Sequence, residues 1–404
     1  MTALPPDGKL SDWLTLKDRA LDVAAEGITI ADAQKPGRPL IYVNRGFERM
    51  TGYTASAAIG LNCRFLQGKD TDPAAADEIR AALNAGRECV VEILNYRRDG
   101  VPFWNRLSIT PVRDTAGRLT HFIGVQSDVT ARRQTEEALR RSKQALEEDL
   151  RLAARVQRSL LPPPEVRAGT FLLAHAFHPC DDLAGDAVGI VPLPDGGIGI
   201  YILDVSGHGV AASLLSFTLA HLLTPGEGAL VTENLGETAV SVPPTRIAER
   251  LNRQFPMDRT QQYFTLIYGI AAPGTGVIEY VVAGHPPPVL MPRGGPPAPV
   301  AGGGRPVGML EDTRYESERL TMEAGDRLYF YTDGVVEARD AAGNEFGLER
   351  LISEIGQVRD LPLRAGIDHI ASAVTDWCRG SPKDDVSLLA IERTTLDPSA
   401  VNIP

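Results

Sequence analysis

Val90-Val91-Glu92-Ile93-Leu94-Asn95-Tyr96, followed by Arg98-Asp99-Gly100 and then Phe103-Trp104-Asn105-Arg106-Leu107-Ser108-Ile109, reads as two alternating strands joined by turn residues. Downstream, Asp114-Thr115-Ala116-Gly117 forms a second turn and residues 119–126 a third strand. Upstream, from about Leu16, short strand-like runs alternate with Gly and Asp turns, so residues 16–128 are expected to form a small antiparallel α+β domain. Amides break the apolar runs at Asn95, Asn105 and Gln126. An amide offers donor and acceptor together, as the edge of a planar heterocycle such as a flavin requires. Cys63, beside Arg64, is either a reactive thiol favoured by the guanidinium or, more commonly, a buried small hydrophobe.

A chain of 404 residues exceeds one ordinary core and fits two domains plus a connector. With 43% hydrophobic and 23% charged residues, the mixture is that of a globular protein. The 41 basic and 52 acidic residues leave a charge of −11, which argues against a nucleic-acid surface and favours solubility. Cys63, Cys89, Cys180 and Cys378 lack paired spacing, so neither a disulfide framework nor a zinc site is expected. Residues 1–13 are polar, carry Pro5-Pro6 and show no secretory pattern. The longest apolar candidate, residues 210–223, contains Ser213, Ser216, Thr218 and His221. A cytoplasmic location with no membrane segment is the expectation.

Residues 130–160 contain no Gly or Pro and are rich in Ala, Leu, Glu, Gln and Arg, the composition of one long helix. Asp128 or Thr130 is placed to cap it, and Glu136/Arg140, Glu137/Arg141 and Glu147/Arg151 form supporting pairs four apart. Leu139, Lys143, Leu146, Leu150, Ala153, Gln157 and Leu160 alternate steps of four and three, as a coiled-coil seam does. A parallel homodimer is one reading; a lone amphipathic helix packed on a neighbouring domain is the other. Pro162-Pro163-Pro164 ends the helix.

The C-terminal half places aspartates at strand ends: Asp204 after residues 198–203, Asp333 after residues 328–332, and Asp384-Asp385 before residues 386–391. Asp186, in Ala184-Gly185-Asp186, is a fourth candidate. Singly, such residues are usually turn chemistry. Converging carboxylates repel one another unless hard cations lie between them, and Mg²⁺ or Mn²⁺ take such oxygen ligands together with water. Neither a Gly-x-Ser-x-Gly elbow nor a P-loop is present, which leaves water activated by two cations about 4 Å apart as the natural nucleophile.

Two family resemblances sharpen these readings. Gly60-Leu61-Asn62-Cys63-Arg64-Phe65-Leu66-Gln67 resembles the LOV signature of plant phototropins and bacterial photoreceptors, and Asn44, Arg80, Asn95, Asn105 and Gln126 stand at matching places. The resemblance implies FMN, its phosphate held by Arg64 and Arg80 and its ring and ribityl chain by Asn62, Gln67, Asn95, Asn105 and Gln126. It further implies that blue light joins the Cys63 sulfur to the flavin and that Gln126 rotates its amide in response. Asp204-Val205-Ser206-Gly207-His208-Gly209 resembles the metal-binding core of PPM-type serine/threonine phosphatases of the bacterial stress-response and sporulation branch. Tyr263-Phe264-Thr265-Leu266, Ala283-Gly284-His285-Pro286-Pro287, Tyr331-Thr332-Asp333-Gly334, Lys383-Asp384-Asp385-Val386-Ser387 and the junction Val156-Gln157-Arg158-Ser159-Leu160-Leu161-Pro162 extend the likeness. It implies an αββα sandwich in which Asp204 bridges both metals, the Val205 carbonyl binds one, and Asp333 with Asp384 completes the other, Asp385 and Asp186 being neighbouring candidates. Where the branch has Gly-Gly-Asp-x-x-Asp, this chain has Ala184-Gly185-Asp186-Ala187-Val188-Gly189 and lacks the second carboxylate. His208 and His285 are either acid catalysts or parts of the loop and the packing.

The expected organisation is an N-terminal extension (1–15), a flavin-binding LOV domain of PAS type (16–128), a helical coiled-coil linker (129–161), a PPM-type phosphatase domain (162–393) and a loose tail (394–404). The expected function is a blue-light-regulated, metal-dependent serine/threonine phosphatase acting on a phosphorylated anti-sigma-factor antagonist. The alternative is a light-responsive binding protein whose phosphatase fold no longer turns over.

Overall fold

The computed structural model describes residues 10–236, 238–272, 274–380, 382–395 and 401–402. Residues 1–9 of the expected extension lie outside them. The chain divides into two compact units, Met1–Leu146 and Glu147–Pro404.

The first unit runs α1 (Leu10–Val23), β1 (Gly27–Asp32), β2 (Leu40–Val43), α2 (Arg45–Thr51), α3 (Ala55–Ala58), a 3₁₀ turn at Cys63–Leu66, α4 (Pro73–Ala85), β3 (Cys89–Tyr96), β4 (Pro102–Arg113) and β5 (Leu119–Asp128). Helix α1 crosses the expected start of the domain at residue 16. The sheet order is β2-β1-β5-β4-β3, and every pairing is antiparallel. Ile93 pairs with Asn105, and Gln126 pairs with Leu107. Because strand side chains alternate between faces, Val91, Ile93 and Asn95 of β3, Phe103, Asn105 and Ile109 of β4, and Phe122 and Gln126 of β5 are all buried. The three amides therefore lie on the face that the helices cover.

The opposite face receives the start of α5 (Thr130–Ser159). The Asp128 carboxylate accepts the Thr130 N–H at 2.9 Å, satisfying a donor that the first helical turn leaves open. The Trp104 N–H donates to Thr130 Oγ1 at 2.8 Å. Arg132 and Arg133 both reach the Glu92 carboxylate, at 2.6 and 2.8 Å, and the Arg133 guanidinium lies 3.8 Å from the centre of the Trp104 ring. Bonding to Arg133 holds the Glu92 carboxyl below its ordinary range. Glu92 and Trp104 alternate along their strands with Ile93 and Asn105, so the same strands wall the interior and anchor the helix.

Farther along α5, Leu139 and Leu146 are 71% and 60% exposed, as an unpaired seam would leave them. Gln157 departs from the expected seam. Its amide is buried, donating to the Ala184 carbonyl at 2.8 Å and accepting the Ala184 N–H at 3.1 Å. A primary amide matches the donor and acceptor of one residue's backbone, and this pairing removes Gln157 from any interhelical face.

The second unit is an αββα sandwich. One sheet has the order β16 (Ser317–Thr321), β13 (Val277–Ala283), β12 (Phe264–Ala272), β9 (Ile198–Val205), β8 (Ala187–Pro192). The other runs β15 (Ala298–Pro299), β14 (Val289–Met291), β17 (Arg327–Tyr331), β18 (Val386–Arg393), β7 (Phe171–His178), β6 (Glu165–Ala168), β19 (Val401–Asn402). A separate ribbon pairs β10 (Thr232–Leu235) with β11 (Thr238–Ser241). Between the two large sheets pack Ile198, Ile200 and Ile202 with Leu328, Phe330, Leu389 and Ile391. Helices α6 (Val210–Leu222) and α7 (Pro244–Gln254) cover the first sheet, and α10 (Gly347–Gln357) and α11 (Leu363–Cys378) the second. The central strands β9, β17 and β18 are buried on both faces, so they read as nearly continuous apolar runs. Short helices α8 (Met257–Thr260) and α9 (Asp333–Val336) shape the loops. In the segment expected as a tail, the Thr394 N–H bonds to the Thr170 carbonyl at 2.7 Å, and β19 pairs with β6.

Candidate functional site

The interior of the first unit holds a cavity of about 720 Å³, counting its open mouth. Asn62, Cys63, Arg64 and Gln67 enter it from the 3₁₀ turn and its flanks, and Asn95, Asn105 and Gln126 from the sheet. Seven of the eight residues expected to bind the cofactor thus share one wall system. Arg80 alone lines the mouth outside it, exposed and paired with Asp77. Asn44, by contrast, spends its amide on backbone: Oδ1 accepts from Ile28 and Phe47, and Nδ2 donates to Leu21 and Glu26.

The buried amides form a chain. Gln126 Nε2 donates to Cys63 Sγ at 3.6 Å, and Gln126 Oε1 accepts from Asn105 Nδ2 at 3.0 Å. Asn105 Nδ2 also reaches Asn95 Oδ1 at 2.9 Å, which leaves the buried Asn105 Oδ1 without a protein partner. An orphan buried acceptor is costly, about 1–3 kcal/mol, and in a cavity wall it calls for a ligand donor. Burial pushes the Cys63 thiol up to about 11, opposed by the Gln126 bond. The thiolate reading raised by the neighbouring Arg64 is therefore replaced by a neutral thiol. A Cβ at Gly124 would lie 2.6 Å from Thr29 Oγ1, so the cavity floor needs glycine there.

In the second unit the strand-end carboxylates converge at one end of the sandwich. Asp204 lies in β9, opposite Thr265 of β12. Asp333 opens α9, and Asp384 precedes β18. A Cβ at Gly334 would sit 2.0 Å from the Asp385 carbonyl, so glycine allows the two segments to touch. Gly185 brings its loop against the Val205 carbonyl, 3.0 Å from where a Cβ would stand. Asp186 is buried, and its Oδ2 accepts from Thr332 at 3.0 Å and Ser387 at 2.6 Å. Asp385 gives both oxygens to the same loop: Oδ1 accepts the Cys180 N–H at 2.8 Å and Oδ2 the Gly185 N–H at 2.7 Å.

Burial, then Asp333, Asp384 and Asp385, raises Asp204 to about 8. Burial, then Asp384 and Glu337, raises Asp333 to about 6. Asp186 is lifted well above the carboxylate range by burial and then Asp204 and Asp385, and Asp384 is lifted by burial with Asp385 adding to it. These groups carry more negative charge than the site can hold unaided, which suits cations. Among the described residues no three His, Cys, Asp or Glu side chains close a shell around one point. Burial drops His285 to about 3, and its Nδ1 lies 2.6 Å from Thr265 Oγ1. His208 is exposed, 3.9 Å from Asp181.

The sequence reading missed four contributors. Thr332 and Ser387 lay inside quoted motifs but showed no sign that both would grip Asp186. Gln157 was hidden by its helical spacing. Arg38, in the left-handed region at φ 50°, lines the cavity from the β1–β2 turn, and Gly37-Arg38 was its only signal.

Comparison with known proteins agrees with both halves. Residues 25–131 match the family described as PAS domain, and residues 194–394 match Stage II sporulation protein E (SpoIIE). Phototropin-1B of Oryza sativa is 48% identical over 111 residues, 28% of this chain and 12% of that protein. A blue-light-activated histidine kinase of Rhizobium johnstonii is 46% identical over 109 residues, 27% of this chain and 32% of that one. The solved LOV domain of an Erythrobacter litoralis blue-light activated histidine kinase is 46% identical, covers 26% of this chain and 96% of that chain, and has a TM-score of 0.26. The chain thus spans only a small part of the curated relatives it matches. The chain joins two domains of different families. Its N-terminal domain is a LOV-type PAS domain and its C-terminal domain a phosphatase domain of the SpoIIE family. No helix among the described residues is long and apolar enough to cross a membrane.

The residue replacing the second acid of the branch, Gly189, pairs with Tyr201 across β8 and β9. A Cβ at 189 would meet the Tyr201 ring at 2.1 Å, and the phenol, reaching the Ala220 carbonyl at 3.5 Å, occupies the volume a carboxylate would need. Gly189→Asp should therefore lower thermal stability, by about 1–3 kcal/mol from overpacking alone. Adding Tyr201→Ala should recover part of that loss; purely additive losses in thermal unfolding would contradict the steric pairing.

Proposed function

We propose that this chain is a blue-light receptor that binds FMN and controls a metal-dependent serine/threonine phosphatase. The observation that carries the sensor half is the Cys63–Gln126–Asn105–Asn95 chain, whose buried Asn105 acceptor faces the cavity unpartnered. A bound flavin would supply blue-light absorption and an electrophilic ring, against which Cys63 would hold its sulfur. Cys63 presents that sulfur as a neutral thiol with its own proton to give. Asn62, Gln67, Asn95, Asn105 and Gln126 supply in-plane donors and acceptors, and Arg64 and Arg80 positive charge at the mouth. Gln126 donates at one end and accepts at the other, so rotating its amide changes its bond to Asn105 on β4. Such an exchange is worth about 1–3 kcal/mol, enough to bias a two-state element.

In the effector half, Asp186, Asp204, the Val205 carbonyl, Asp333 and Asp384 are the proposed ligands of two Mn²⁺ or Mg²⁺ ions. Bound cations supply Lewis acidity at the phosphoryl group and lower the pKa of water. Thr332 and Ser387 orient Asp186, and Asp385 holds the loop that carries it. The proposed substrate is a phosphoserine or phosphothreonine protein, an anti-sigma-factor antagonist being the class the family resemblance favours.

The helix α5 connects the two activities on this reading. Its root is fixed by Glu92 and Trp104, next to residues that wall the cavity, and Gln157 near its end grips Ala184, two residues before Asp186. Exposed Leu139 and Leu146 are the proposed seam of a homodimer.

Cys63→Ala should retain flavin yet lose reversible bleaching of the blue absorption; bleaching and recovery in that variant would dismiss the sulfur chemistry. Asp204→Asn should abolish manganese-dependent hydrolysis of a phosphorylated peptide. If the unaltered chain binds manganese without turnover, the rival binding-protein reading, which draws on Gly189, prevails. Leu146→Lys should shift the chain toward monomer in sedimentation and flatten the light-to-dark ratio of phosphatase rates while leaving the flavin spectrum intact.

A further inference from the structure

We propose that Arg38 is a phosphate ligand of the bound flavin and sets the site's preference for the phosphorylated cofactor; this rests on the flavin reading above. The cavity opens into a mouth lined by Arg38, Arg64 and Arg80 together with Asn62 and Gln67. The three guanidiniums are not equivalent. Arg80 is paired with the Asp77 carboxylate, which offsets its charge. Among the described residues, neither Arg38 nor Arg64 has a carboxylate partner, and both line the inner cavity as well as the mouth.

Arg38 is also held in place. Gly37 and Arg38 turn the chain at φ 80° and 50°, in the left-handed region, between β1 and β2. The Gly37 carbonyl accepts from Asn62 Nδ2, tying this turn to the segment that carries Cys63 and Arg64. Arg38 Nη2 donates to Asn84 Oδ1 at 3.0 Å on α4. Asn84 is neutral, so this bond orients the guanidinium without discharging it, and a guanidinium has five N–H donors in all. Two guanidiniums without a carboxylate partner, one of them oriented by Asn84, match a phosphate dianion better than one free and one compensated.

Arg38→Asn is the informative variant, because asparagine tolerates a left-handed backbone better than most residues. Full-length apoprotein is titrated with FMN and with riboflavin, following quenching of flavin fluorescence. Arg38→Asn should weaken FMN about ten- to a hundred-fold, the worth of a hydrogen bond to a charged group, while riboflavin affinity stays as in the unaltered chain. Arg80→Gln should cost less FMN affinity than Arg38→Asn. Retained riboflavin binding also certifies that the variant folds. Unchanged FMN affinity, or an equal loss of both flavins, would overturn the assignment of Arg38. Binding of neither flavin by the unaltered chain would overturn the flavin reading itself, and the assignment with it.

Discussion

Carboxylates held together against burial and against one another are the constraint around which the second domain is built. Asp204 and Asp333 are lifted to about 8 and 6, and Asp186 higher than its ordinary range, because the sandwich brings their strand ends together where water is scarce. Such a cluster persists only if the surrounding fold over-determines it. Here the determinants are backbone N–H groups on Asp385, two hydroxyls on Asp186, and a glycine at 334 where any side chain would strike the neighbouring strand. Cations of the kind proposed would turn that repulsion into attraction.

The first domain rests on a simpler rule, the two-residue period of a strand. Asn105 faces the cavity and Trp104 faces the linker helix; Ile93 faces in and Glu92 out. A rearrangement among the interior amides therefore bears directly on the strands that hold the helix root. The clamp mixes a shared carboxylate, a ring contact and a backbone bond. Exposed ion pairs contribute little singly, so what the combination offers is orientation of the helix root. At the far end of the same helix, Gln157 makes a two-point bond to the loop of Asp186.

Gly189 shows how a departure from a family pattern becomes intelligible in three dimensions. In the chain it reads as a missing ligand. In the fold it is the space required by Tyr201, a buried ring whose phenol the same burial raises to about 12. The loss of an acid and the presence of an aromatic side chain on the adjacent strand are one structural fact.

Local pattern alone determined much of this protein: the alternating strands on either side of Arg98-Asp99-Gly100, the unbroken helix that stops at Ser159 ahead of Pro162, the amides at 95, 105 and 126, and the aspartates at strand ends all follow from periods and turn chemistry that act over a few residues. Tertiary structure decided what those residues meet. Gln157 has seam spacing and finds a backbone partner 27 residues away, Arg80 at the cavity mouth is paired with Asp77, Asp385 accepts from the Cys180 and Gly185 N–H groups of a distant loop, and β19 pairs with β6. Hydrogen-bonding capacity can be read from a residue's identity, but its partner is set by which strands and loops pack together, and that is a property of the whole chain.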